Sequence, residues 1–346
     1  MIARRPADLQ VESSHQGGTK HPLRRVCRDG DELLGRLGLA AEDLAADPFP
    51  AFALRVPDAF IARMRPGDAA DPLLRQVLPT LAERLAVPGF VDDPLAEASA
   101  NRVPGLMHKF AGRVLLIVTG HCPIHCRYCF RRHFAHAANR PSREGWAQAF
   151  DYIRRDDSVT EVILSGGDPL SVSDRQLQWL IGQIEAIPHV RRLRIHSRLP
   201  VVVPDRLGPG LVGLLAASRL QTSLVIHANH PRELDDSVAE ALSLLRREGI
   251  VLLNQAVLLA GVNDRVEVLA ELSERLFAIG VLPYYLHLLD RVAGAAHFAV
   301  PDERAILLQQ ALLTRLPGYL VPRFVREIAQ APSKVPILAS TASTGR

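Results

Sequence analysis

The chain has 346 residues, enough for one large domain or two modest ones. Hydrophobic residues make up 48% of it and charged residues 23%, an ordinary globular balance with ample material for a buried core. The net charge of +4 suits anionic cofactors and gives no footprint for nucleic acid.

The first residues, MIARRPADLQVESSHQGG, hold no apolar stretch of signal-peptide length. No apolar run reaches the roughly 18 residues that span a bilayer. The longest, IVLLNQAVLLAGV (250–262), is broken by Asn254 and Gln255. The expectation is a soluble, cytoplasmic protein with no membrane contact.

Residues 1–105 predict a helical but irregular N-terminal region. GDELLGRLGLAAEDLAA and DPLLRQVLPTLAERLAV place apolar residues three and four apart. Asp71 before Pro72 has the pattern of an N-cap with proline in the first turn. From about residue 106 the texture changes to short Val, Ile and Leu runs separated by amphipathic stretches. The strand candidates are 113–120, 159–167, 190–197, 221–229, 250–261 and 281–290. Six strands alternating with helices predict repeated β–α units in a parallel sheet. Their continuous apolar runs predict strands covered on both faces. The count points to a partial (β/α)6 barrel over 106–300, with a doubly wound open sheet as the alternative. Residues 301–346 form a C-terminal segment, and its polar end ASTASTGR predicts disorder.

In either architecture chemistry belongs at the C-terminal ends of the strands. Polar residues gather there: Cys122, then Gly166, Gly167 and Asp168, then His196, His227 and Asp290, with Gln255 inside the fifth strand.

Three of the four cysteines lie in GHCPIHCRYCFRRHF with the spacing C-x3-C-x2-C, at Cys122, Cys126 and Cys129. Cys27 stands alone and reads as a small buried apolar residue. An odd cluster argues against a disulfide framework. Three thiolates on a short loop can hold three irons of a [4Fe–4S] cube and leave the fourth iron open. Zinc with His121, His125 or His133 is the alternative, as is a ferredoxin-type site completed by the remote Cys27.

CPIHCRYC, LSGGDPL (164–170), VIHANHP, NQAVLLAGVND, YYLHLLD and EIAQAPSKVP resemble the radical S-adenosylmethionine lysine 2,3-aminomutase family. The resemblance runs from about Asp71 to Ile337. It is nearest to the branch that forms (R)-β-lysine for modification of elongation factor P. It implies a radical-SAM partial barrel, a [4Fe–4S] cluster, S-adenosyl-L-methionine and pyridoxal 5′-phosphate. It also implies lysine as substrate and a functional link to the ligase that charges the elongation factor. Oligomeric state stays open, a homo-oligomer included.

By this resemblance Cys122, Cys126 and Cys129 hold the cluster, and Lys334 is the catalytic lysine that bonds pyridoxal phosphate. Tyr128 packs near the adenine; Gly166, Gly167 and Asp168 belong to the motif for the methionine amino group; His227 and Gln255 contact S-adenosylmethionine. Lys109 and Arg113 lie near the pyridoxal phosphate. Arg131 grips the substrate carboxylate, while Asp290 and Glu327 hold its side-chain ammonium. Relatives of the clostridial type carry aspartate where this chain has Glu327, which lengthens that arm by one methylene. Three rival readings stand: an aminomutase acting on another amino acid, a radical enzyme without pyridoxal phosphate, and a non-enzymatic metal or nucleic-acid binding module.

Overall fold

The computed structural model describes residues 25–135, 139 and 142–337. The opening stretch MIARRPADLQVESSHQGG and the polar end ASTASTGR lie outside the described residues.

The N-terminal part is less helical than its periodicity predicts. A short antiparallel pair, β1 (Val26–Cys27) and β2 (Val56–Pro57), brackets α1 (Gly30–Leu37). One-turn helices follow: α2 (Asp58–Ile61), α3 (Pro72–Arg75) and α4 (Glu97–Ala100). Asp71 caps α3 as its position suggests, accepting from the N–H groups of Leu73 and Leu74. The helix stops after Arg75, and Pro79 lies a turn beyond, where its ring cannot continue an α-helix. The apolar residues of this stretch, Leu73, Leu74, Val77 and Leu78, are buried all the same.

The main body is one ten-stranded sheet. A hairpin of β3 (Asn101–Val103) and β4 (Leu106–Phe110) runs antiparallel to β5 (Arg113–Thr119). The sheet then continues in parallel through β6 (Glu161–Gly166), β7 (Arg192–Ser197), β8 (Gln221–Ile226), β9 (Val251–Leu258) and β10 (Leu282–Leu288). These are the six strands read from the sequence. A seventh parallel strand, β11 (Arg323–Arg326), pairs with β10, and β12 (Val335–Pro336) closes the order antiparallel to it. RFVR gave no strand signal because it is four residues long and bounded by arginines.

Helices cover the outside: α5 (Arg143–Arg155), α6 (Asp174–Glu185), α7 (Leu199–Val202), α8 (Pro209–Ala216), α9 (Asp236–Arg247), α10 (Val266–Ala278) and α11 (Asp302–Arg315). In α6 the buried residues are Leu177, Leu180, Ile181 and Ile184, one stripe at helical spacing. Each such leucine or isoleucine contributes about 1.5–3 kcal/mol by leaving water. None of the helices among the described residues is long and apolar enough to cross a membrane.

The two faces of the strands differ more than their apolar runs suggest. On β9, Leu252, Ala256 and Leu258 are buried on the outer face, while Gln255 and Val257 line an interior cavity. Asn254 shares the outer face because its amide is spent: Oδ1 accepts from Ala228 N at 2.9 Å and Nδ2 donates to Ala228 O at 3.0 Å. The sheet curls until its margins meet, and Lys109 of β4 donates to Glu327, just past β11, at 3.0 Å.

Candidate active site

The curled sheet and the loops above it enclose a cavity of about 510 Å³. Every residue given a site role by the family resemblance lines it, from Lys109 and Arg113 on the first strands to Lys334 near the end, whereas the alternative ligands Cys27, His121, His125 and His133 do not. The parallel strands deliver the loops carrying Cys122, Asp168, His227 and Asp290 to one rim, while Lys109 on β4 and Arg113 at the start of β5 reach the cavity from the strands themselves.

Cys122, Cys126 and Cys129 occupy one wall, on the loop after β5. Burial, followed by the charge of Asp168, raises the Cys122 thiol well above its ordinary range. Burial also pushes Cys129 up to about 11. A cation is the natural partner for thiols so placed, because it favours the thiolate that burial disfavours. Among the described residues no three His, Cys, Asp or Glu side chains converge tightly around a single point. Tyr128 is buried beside the thiols. Its ring meets His227 edge-on at 6.0 Å and Phe298 at 6.1 Å, and its hydroxyl accepts from Asn229 Nδ2 at 2.6 Å.

The glycine motif holds this loop in place. Gly166 adopts φ 131°, and a Cβ there would lie 2.5 Å from Thr119 O. A Cβ on Gly167 would lie 2.4 Å from His121 O, so only glycine permits the contact. The Asp168 carboxylate is fully used by the protein. Oδ1 accepts from Ser197 Oγ at 2.7 Å and Leu170 N at 3.0 Å, and Oδ2 from Arg198 N at 2.8 Å and Leu199 N at 3.0 Å. It pins the end of β6 to the end of β7.

From Arg131, just beyond the last cysteine, charged groups alternate along the cavity lining. Arg131 forms a two-pronged pair with Glu97, Nε to Oε2 at 2.7 Å and Nη2 to Oε1 at 2.9 Å. Its Nη1 reaches Ser165 Oγ at 3.2 Å and Gly166 O at 3.3 Å. Lys109 Nζ lies 3.1 Å from Glu97 and 3.0 Å from Glu327. Lys334 Nζ donates to Glu327 Oε2 at 2.6 Å and stands 5.8 Å from the centre of the Tyr285 ring. Burial alone would raise the Glu327 carboxyl, but Lys334 and Lys109 hold it at about 2. Asp290 is the contrast: burial first, then the charge of Glu327, raise it to about 7. Two carboxylates in one cavity are thus driven to opposite ends of their range.

The remaining wall is polar and partly unpartnered. Burial pushes His227 down to about 3, and His196 and His287 well below the ordinary imidazole value. The Nε2 atoms of all three rings, and Nε of Arg194, are buried without a hydrogen-bond partner. Orphaned groups of this kind in a cavity wall signal a polar ligand. With three thiols, basic side chains, a lysine and unpaired ring nitrogens lining one cavity, the residues fit a cluster and anionic organic cofactors. Arg113, stacked 4.7 Å over Phe110, completes the basic side.

Sequence reasoning missed Glu97, the partner of Arg131, because it sits in the irregular lead-in far from every motif. It also missed Arg194, His287 and Tyr285. Their inward positions on β7 and β10 follow from strand alternation once the strand phase is known.

Residues 116–272 match the model of the Radical SAM superfamily. The chain is 51% identical over 318 residues to an Escherichia coli protein named L-lysine 2,3-aminomutase, covering 91% of this chain and 93% of that one. A Haemophilus influenzae protein of the same name is 46% identical over 316 residues, 90% and 93% of the two chains. A Clostridium subterminale protein, again of that name, is 40% identical over 280 residues, 81% of this chain and 67% of the other.

Proposed function

The chain belongs to the L-lysine 2,3-aminomutase family, and on that premise we propose that it converts L-α-lysine to (R)-β-lysine by a radical 1,2-shift of the amino group. The observation that carries this reading is the shared cavity, lined by Cys122, Cys126 and Cys129 together with Lys334. In this reading the three thiols hold the cluster and leave one iron for S-adenosylmethionine, against Tyr128, His227 and Gln255. Lys334 carries the pyridoxal phosphate, with Lys109 and Arg113 on the basic side. When bound, these groups supply a carbon radical able to take hydrogen from an unactivated carbon, and a conjugated ring that eases the nitrogen shift.

The protein's own residues bind and orient the substrate. Arg131 meets the α-carboxylate through Nη1, the arm that its two-pronged pair with Glu97 leaves facing Ser165 and Gly166 in the cavity wall. Asp290 and Glu327 receive the side-chain ammonium. A buried ammonium needs an acidic partner, and its arrival draws the proton off Asp290. The same acidic pair disfavours glutamate, whose side chain would meet like charge. One carboxylate, that of Glu327, contacts both Lys109 and Lys334.

We assign the product to modification of elongation factor P, downstream of this enzyme and through a separate ligase, and place the enzyme in the cytoplasm. We divide the chain into an N-terminal region (1–105), the barrel (106–300) and the lysine-bearing segment (301–346). The test is anaerobic reconstitution with iron, sulfide and pyridoxal phosphate, followed by incubation with lysine and other amino acids. Chiral chromatography with mass spectrometry should return (R)-β-lysine. Borohydride reduction and peptide mapping should place the pyridoxyl group on Lys334. Failure of the reduced, loaded protein to cleave S-adenosylmethionine refutes the reading.

A further inference from the structure

A buried network beneath the cysteine loop plays no part in the substrate binding described above. Its centre is Arg198, at the end of β7. The Arg198 side chain reaches under the loop, and Nη1 points at Cys126 Sγ, 2.6 Å away. Nη2 donates to Gln76 Oε1 at 2.8 Å and to Glu233 Oε2 at 3.1 Å. Glu233 is itself fixed, with Oε1 accepting from Asn229 N at 2.9 Å, His230 N at 3.1 Å and Gln76 Nε2 at 3.0 Å. The rings of Phe60 and Tyr128 lie 5.4 Å and 5.7 Å from the guanidinium carbon. The Arg198 backbone N–H is held by Asp168.

We propose that Arg198 is a positioning residue that sets the redox poise of the cluster through an N–H···S hydrogen bond to the Cys126 thiolate. The inference rests on the reading that Cys122, Cys126 and Cys129 hold an iron–sulfur cluster. Pairing Glu233 would occupy only Nη2; the other arm of the fork is aimed at sulfur. Reduction adds one electron to the cluster, and part of that charge resides on its cysteine sulfurs. A fixed charged donor therefore stabilises the reduced form more than the oxidised form and raises the potential. The anchors through Gln76 and Glu233 keep the donor in place in both states, so its dipole is not spent in rearrangement.

The experiment compares reconstituted wild type, Arg198→Lys and the double variant Arg198→Met/Glu233→Gln. The double variant removes both buried charges together, so neither is left unpaired. Iron and sulfide per chain are measured first, then the midpoint potential by following the paramagnetic signal of the reduced cluster. The double variant should load iron and show a reduced-to-oxidised ratio at least tenfold lower at a given potential. That is a midpoint about 59 mV more negative. Arg198→Lys should fall between, keeping the charge without the fork. An unchanged midpoint in loaded double variant overturns the inference. If the variants take up no iron, wild type labelled with [15N]arginine decides: nitrogen coupling to the reduced cluster supports the bond, and its absence overturns it. Wild type that binds no cluster sinks the proposed function and this inference together; loaded protein with an unmoved midpoint sinks this inference alone.

Discussion

Replacing Asp290 by Asn should stabilise the apoprotein in neutral and basic solution while impairing lysine turnover. Asp290 titrates at about 7 in the fold against an ordinary 3.8, with burial the first cause and Glu327 the second. Its folded value is raised, so its contribution to stability is complete below about pH 4 and is lost as pH rises to 7. Each pH unit within that window is worth about 1.4 kcal/mol, so ionised Asp290 costs the fold about 4 kcal/mol above pH 7. Asparagine has nearly the same shape and no charge to bury. Urea unfolding of both apoproteins at pH 5.5 and pH 8 isolates the effect, because the other groups titrate alike in the pair. The stability gap in favour of Asp290→Asn should widen by about 2 kcal/mol between those pH values. A gap that stays constant or narrows as pH rises would show that Asp290 is solvated or already paired, and the reasoning would fail.

In the loaded enzyme, KM for lysine should rise as pH falls below about 7, by up to tenfold per pH unit, because the ammonium must then displace a proton from Asp290; steady-state kinetics across pH 6 to 8 check this, and Asp290→Asn should flatten the profile. Glu97→Gln leaves Arg131 buried without its two-pronged partner and should lower stability by about 3–5 kcal/mol, read from urea midpoints. Gly167→Ala forces a Cβ to within 2.4 Å of His121 O, so the cysteine loop must shift and iron bound per chain after reconstitution should drop severalfold.

The sequence announced the six central strands because each is a Val, Ile and Leu run of strand length between polar breaks. It pointed to a shared cavity at their ends because Cys122, Asp168, His227 and Asp290 each interrupt or follow such a run, and all four line it. What it hid was pairing. Nothing local marks Glu97 as the partner of Arg131, or Glu327 as the joint between Lys109 and Lys334, since those contacts span 34, 218 and 7 residues. The helical spacing read after Asp71 yields only one short α-helix for a different reason. Apolar periodicity recorded that Leu73, Leu74, Val77 and Leu78 are buried, and burial needs no continuous helix once Pro79 has broken the backbone pattern. Asn254 and Gln255, adjacent in an apolar strand, look alike in sequence yet serve opposite faces, one as a backbone tie and one as cavity wall.

The contact of the two sheet margins through Glu327 has a consequence for acid tolerance. In a barrel sealed by main-chain bonding, the seam cannot be titrated; in this one a clasp at the rim is an ammonium–carboxylate junction. Glu327 stays ionised down to about pH 2, so the clasp outlasts the range in which its neighbour Asp290 gains and loses a proton. The pocket can therefore change its charge near neutrality without unbuckling the rim that encloses it.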